Sequence, residues 1–153
     1  MRIYVASKFE NTTAVREAYR LLREAGHEIT HDWTNESAEG LTGQEREDYL
    51  VRAALADVKG VMGASGILVL NHQRMAGGFT EFGIAIGAHW GGRNTCIVVI
   101  DGHHEEKPRN IFFHLPFVWH AKDMKEALKI FHQYWEWANH VSDKPFKPEG
   151  VAA

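Results

Sequence analysis

Apolar positions along the chain fall into short runs that alternate with stretches of helical spacing. Arg2-Ile3-Tyr4-Val5-Ala6 is β-prone, and the polar residues Ser7-Lys8 and Asn11-Thr12-Thr13 follow it as a loop and helix N-cap candidates. Val15, Ala18, Tyr19, Leu22 and Ala25 then recur at helical spacing, and Gly26 stands where a C-terminal cap belongs. His27 to Trp33 reads as a second strand, polar Asn35 to Gly43 as a loop, and Gln44 to Met62 as a helix with Asp57 late in it. Gly66 to Asn71 is a buried-type strand, Gly77 to Trp90 a helix, and Thr95 to Ile100 another apolar strand. After the charged loop Asp101 to Asn110 and then Ile111 to Phe113, the pattern gives a strand at Phe117 to His120. A last helix follows, opened by Asp123 with Glu126 as a capping box and carrying the stripe Met124, Ala127, Leu128, Phe131 and Trp135. Residues 144–153 carry two prolines and no periodicity, so the expected domain is 1–143 with a loose tail.

Strands alternating with helices predict a single α/β domain: an open, mainly parallel sheet of about five strands with helices on both faces. Ligands of such sheets bind beyond the carboxyl ends of the strands. That points to Ala6 to Glu10, Trp33 to Asn35, Asn71 to Glu81 and Asp101 to Asn110. A length of 153 residues fits one domain, and 44% hydrophobic with 24% charged residues excludes a disordered or fibrous chain. The 17 Lys and Arg against 20 Asp and Glu, net −3, lack the basic excess of a protein that binds nucleic-acid polymers. The lone Cys96, the missing signal-peptide pattern and the short apolar runs predict a cytoplasmic protein with no membrane segment. Ten histidines raise the question of metal, but His103-His104-Glu105-Glu106 are consecutive and cannot converge on one ion as helical pairs do. Neither a metal nor a cofactor is expected.

The richest stretch runs from Asn71 through the glycine pair Gly77-Gly78 to Glu81 and Gly83, leading from a strand end into a helix. Paired glycines let backbone amides approach a ligand, and Glu81 is expected in the first helical turn, where the dipole favours an ionised, nucleophilic carboxylate. First-turn glutamates are common for the dipole alone, so spacing by itself leaves both roles open.

The opening Arg2-Ile3-Tyr4-Val5-Ala6-Ser7-Lys8-Phe9, the Ala56-Asp57 helix before the Ile67 to Leu70 strand, and the Gly-Gly-Phe-Thr-Glu-Phe-Gly-Ile-Ala run together resemble the nucleoside 2-deoxyribosyltransferase family over roughly residues 1–135. Asn110-Ile111-Phe112-Phe113-His114-Leu115-Pro116 is similar to a segment of its uncharacterised bacterial and phage-borne branch. The resemblance implies a Rossmann or flavodoxin-like fold. It also implies Glu81 as the nucleophile at the anomeric carbon of a nucleoside or nucleotide, Asp57 as the acid that aids the departing base, and Tyr4 as the hydroxyl that steadies the glutamate. Phe9 falls where the family sets an aromatic against the base, and Trp33 stands at a strand end where it would face one. Asn110 resembles the asparagine that members lend to a neighbouring subunit, which implies a homodimer.

One departure stands out. Family members carry an Asp or a Ser six residues before the nucleophile, whereas here that position is Met75, which offers neither bond. Lys8 and Arg74, with the Gly77 and Gly78 amides, are the candidates to hold a phosphate instead, and Ser7 is a further substrate-binding candidate. Alternatives kept open are a nucleotide-binding sensor without turnover, which Met75 favours, and an enzyme that cleaves the nicotinamide bond of NAD.

Overall fold

The computed structural model describes residues 1–72, 75–101, 110–140 and 145–150. Five strands, β1 (Arg2–Ala6), β2 (Glu28–Ile29), β3 (Gly66–Asn71), β4 (Cys96–Asp101) and β5 (Val118–Ala121), form one sheet in the order β2-β1-β3-β4-β5. Every pairing is parallel. The connecting helices are α1 (Thr12–Glu24), α2 (Gly43–Gly63), α3 (Ala76–Trp90) and α4 (Met124–Asn139). This is the flavodoxin-like order, whose switch point, where strand order reverses, lies between β1 and β3.

Both faces of the sheet are covered, and the strands are accordingly apolar on both sides. On one face α1 and α4 pack together, and Phe131 of α4 lies against Gly66 beside Ile3. On the other, α2 packs on α3 and both reach β1. Tyr4 and Ile67 stand side by side in register and point to this second face, and the period of two carries Asn71 and Asp101 there as well.

Two helix boundaries follow the expected chemistry. Gly26 has a φ of 81° and closes α1, with the His27 amide reaching back to Leu22 O at 3.0 Å. Asp123 Oδ1 accepts from the Glu126 amide at 2.9 Å at the start of α4, while Glu126 Oε2 takes the Lys122 amide at 2.7 Å. Other expectations change. The strand expected from His27 to Trp33 is only Glu28–Ile29, because the chain turns at Asp32, whose carboxylate accepts from both the amide and the hydroxyl of Thr34. Asn11 does not cap α1 with its side chain but donates from Nδ2 to Ser7 Oγ at 2.9 Å. The expected loose tail is docked over its described part: Phe146 packs edge-on against Trp119 and Tyr134, and Gln133 brackets the backbone of Glu149. No helix among the described residues is long and apolar enough to cross a membrane.

The approach of α2 to the sheet depends on Gly60. A methyl group there would lie 2.7 Å from His31 Cβ and 2.9 Å from the Tyr4 ring. Gly60→Ala is therefore expected to lose about 1–3 kcal/mol of stability through overpacking. Gly83→Ala, whose methyl group meets nothing within 4 Å, is expected to gain up to about 1 kcal/mol from helix propensity. Urea unfolding of the two variants checks the contrast, and equal midpoints would refute it.

Candidate functional site

At the carboxyl edge of the sheet, three elements deliver Tyr4, Asp57 and Glu81 to one place. Tyr4 comes from β1, where the strand buries its ring completely, and its hydroxyl donates to Asp57 Oδ1 at 2.7 Å. Asp57 sits one helical turn before Gly60 on α2, so the close approach at Gly60 brings the carboxylate onto the tyrosine. Glu81 comes from α3 and lies within reach of the same hydroxyl, while its Oε2 is buried without a partner.

The helix starts at Ala76, so Glu81 is in its second turn and not in the first, which carries no acidic residue. The dipole fades beyond the first turn, and it is not what sets this carboxyl. Burial, reinforced by the neighbouring Asp57 carboxylate, pushes Glu81 up from 4.5 to about 7, partly offset by the bond from Tyr4. Burial together with the charges of Glu81 and Asp57 holds the Tyr4 phenol far above its ordinary range, so it remains a donor. A phenol has one proton, and two carboxylates compete for it.

Two residues of this cluster were not singled out from the sequence. His31 Nε2 lies 3.6 Å from Asp57 Oδ1 and 3.0 Å from Glu36 Oε1. Only the end of the second strand pointed here, and the two-residue β2 stops before His31, two positions earlier than the marked Trp33 to Asn35.

The remaining candidates divide. Phe9 is 60% exposed and stacks on Trp33 with ring centroids 6.1 Å apart. Trp33 itself is buried, with Nε1 donating to Val5 O at 2.9 Å, so it forms the floor beneath Phe9 and does not present a face of its own. Arg16 fixes that loop by donating to Thr34 O and Asn35 Oδ1. Ser7 is buried and fully engaged, donating to Leu70 O at 3.0 Å and accepting from Asn11, so it ties the ends of β1 and β3 together. Gly78 is a packing glycine: a methyl there would lie 2.6 Å from Met75 Cε and 2.9 Å from Ser7 O. Gly77 has open space beside it, and its amide is among the first of α3, which have no intrahelical acceptor. Met75 is fully buried under Gly78 and takes the His72 amide on its sulfur, so it is a core residue of the turn. Lys8 Nζ lies 3.5 Å from Glu10 Oε2. Asn110 caps the 3-10 turn Ile111–His114 by accepting from the Phe112 amide at 3.1 Å. Arg74 and His103-His104-Glu105-Glu106 lie outside the described residues, among which no group of three or more metal-ligating side chains occurs.

Among the described residues, the buried side-chain polar atoms without a hydrogen-bond partner are Tyr49 Oη, Asn71 Oδ1 and Glu81 Oε2, together with His31 Nε2, which instead faces the Glu36 and Asp57 carboxylates at ion-pair distance. His31 and Glu81 belong to the cluster, Asn71 ends β3, and Tyr49 lies on α2 three turns before Gly60 on the same helix side. Compared with family models, curated proteins and solved structures, the chain matches none.

The raised Glu81 carboxyl makes stability depend on pH. Between 4.5 and about 7 the folded protein holds a proton that the unfolded chain has released, so rising pH works against folding across that window. Above it the penalty, roughly 3 kcal/mol, is complete. Glu81→Gln removes the titration, so its stability relative to the wild type is expected to grow from about pH 4.5 to pH 8 in urea unfolding. A difference that stays constant across that range would contradict the burial of an ionising Glu81.

Proposed function

We propose that the protein cleaves the N-glycosidic bond of a nucleoside or nucleoside 5′-monophosphate, by transfer or hydrolysis, through a covalent glycosyl intermediate on Glu81. The observation that carries this reading is the convergence of Tyr4, Asp57 and Glu81 from three elements at the switch-point crevice, with one oxygen of Glu81 left unpartnered. Near neutral pH the cluster holds one proton that a leaving base needs. With that proton on Asp57, relayed through the Tyr4 hydroxyl, Glu81 is free as a carboxylate. Its oxygen attacks the anomeric carbon, the carbon–nitrogen bond breaks with its electron pair going to the base, and Asp57 protonates the base nitrogen. Water or a second base then displaces Glu81. The exposed face of Phe9, backed by Trp33, offers the leaving base a stacking surface.

Met75, the departure on which the sensor reading rests, is packed in the core and takes the His72 amide on its sulfur. The proposal includes a homodimer with Asn110 serving the neighbouring pocket. Its support is an apolar stripe on α2, where exposed Val51, Leu55, Val58 and Met62 follow one another at four, three and four residues, a spacing that fits a second helix. Ile111 and Phe112 are also exposed, directly beside Asn110.

Glu81→Ala is expected to abolish base release from a panel of nucleosides and 5′-monophosphates followed by chromatography, with the melting transition retained. Undiminished release would sink the assignment. In the wild type, base release is expected to fall as pH rises through about 7, where the cluster gives up the proton that the leaving base takes. For the dimer, Leu55→Glu is expected to convert the protein to monomer in sedimentation and to lower base release at least tenfold. A wild type that sediments as a monomer at working concentration would reject it.

A further inference from the structure

A row of polar side chains crosses the sheet face that carries Tyr4. Asn71 and Asp101 are register partners, and His120 partners Val99 on the same face. Asn71 is only 4% exposed, and its Nδ2 donates to Asp101 Oδ1 at 3.0 Å. Asp101 Oδ2 in turn meets His120 Nδ1 at 3.0 Å, and His120 Nε2 meets Phe113 O at 2.9 Å. The Phe113 carbonyl can only accept, so Nε2 carries a proton. Turning the Asn71 amide over would set its oxygen against a carboxylate oxygen of Asp101. The amide therefore has one stable orientation, and its Oδ1, buried and unpartnered, is a fixed acceptor. The carboxylate at the far end of the amide polarises it and strengthens that oxygen as an acceptor.

The position of Asn71 says what it would meet. Ser7 Oγ bonds Leu70 O, and Gly78 crowds Ser7 O, so the ends of β1 and β3 and the first turn of α3 come together beside it. Asp57 and the Phe9–Trp33 shelf lie toward β1 and β2, and Asn71 lies on the opposite side, toward β4. With the base leaving from the Asp57 side, the sugar occupies the Asn71 side. We infer that Asn71 is a specificity residue whose Oδ1 accepts a hydrogen bond from a sugar hydroxyl remote from the base, at C3′ or C5′. This rests on the N-glycosidic reading of the same site. An acceptor backed by a carboxylate offers nothing to a phosphate, so the hydroxyl that Asn71 reads is unesterified.

The test varies ligand and protein together. Base release by the wild type is compared for a parent nucleoside, its 3′-deoxy and 5′-deoxy forms, and its 3′- and 5′-monophosphates. The series is repeated with Asn71→Leu, close to the amide in shape. The same ligands are titrated against Glu81→Gln, which reads affinity without turnover. One deoxy form and the phosphate at the same carbon are expected to lose at least about tenfold with the wild type, and Asn71→Leu is expected not to distinguish that deoxy form from its parent. Equal discrimination by both proteins would overturn the role of Asn71 and leave the glycosidic reading standing. If Asn71→Leu does not fold, the wild-type series and the Glu81→Gln titration still decide, since indifference to both deoxy positions rejects the inference. Neither binding nor base release with any nucleoside would overturn both.

Discussion

The candidate site depends on how closely two helices approach the end of one strand. Gly60 lets α2 press onto Tyr4 and His31, and Gly78 lets α3 press onto the backbone of Ser7. Each glycine lies three residues from a carboxylate: Asp57 precedes Gly60 and Glu81 follows Gly78. One helical turn is therefore the lever arm that sets each acid against the Tyr4 hydroxyl. Because the neighbours at both glycines include atoms on or next to backbone, neither contact can relax by a simple change of rotamer.

That geometry has an electrostatic cost. Two carboxylates share one phenolic donor in a buried setting, and Glu81 responds by holding its proton up to about 7. The expectation that a helix dipole would keep this group ionised has the opposite sign from what burial does. The dipole acts within one turn, and Glu81 is beyond it. A group near half-ionisation at neutral pH suits proton exchange better than a permanently charged one, because it can give and take a proton with little driving force against it.

Most of the fold could be read from periodicity. β3 and α4 came out close to their observed limits, since one is a continuous apolar run and the other has a side-chain cap in Asp123. β2 did not, because Asp32 turns the chain with local hydrogen bonds that outcompete pairing. The meeting of Tyr4, Asp57 and Glu81 was foreseen from resemblance, and no spacing along the chain would have produced it. What residue type could not reveal was direction. Ser7 and Gly78 stand at the right strand ends, yet one is spent on strand-to-strand bonds and the other on core packing. Asn71, read only as the start of a glycine-bearing turn, is oriented by Asp101 and His120, thirty and forty-nine positions away.

The distribution of unsatisfied groups separates the two roles that buried polar residues play here. Trp33 Nε1, Tyr19 Oη and Ser7 Oγ each find a backbone acceptor, and they hold loops and strands in place. Glu81 Oε2 and Asn71 Oδ1 find none, although each such atom costs folding about 1–3 kcal/mol. In Asn71 the other atom of the same amide is engaged by Asp101, which fixes how the free oxygen points, while Glu81 on α3 lies within reach of the Tyr4 hydroxyl. A flexible side chain would turn to relieve such a penalty. Asp101 with His120 denies Asn71 that freedom, so its unpaired oxygen keeps one direction.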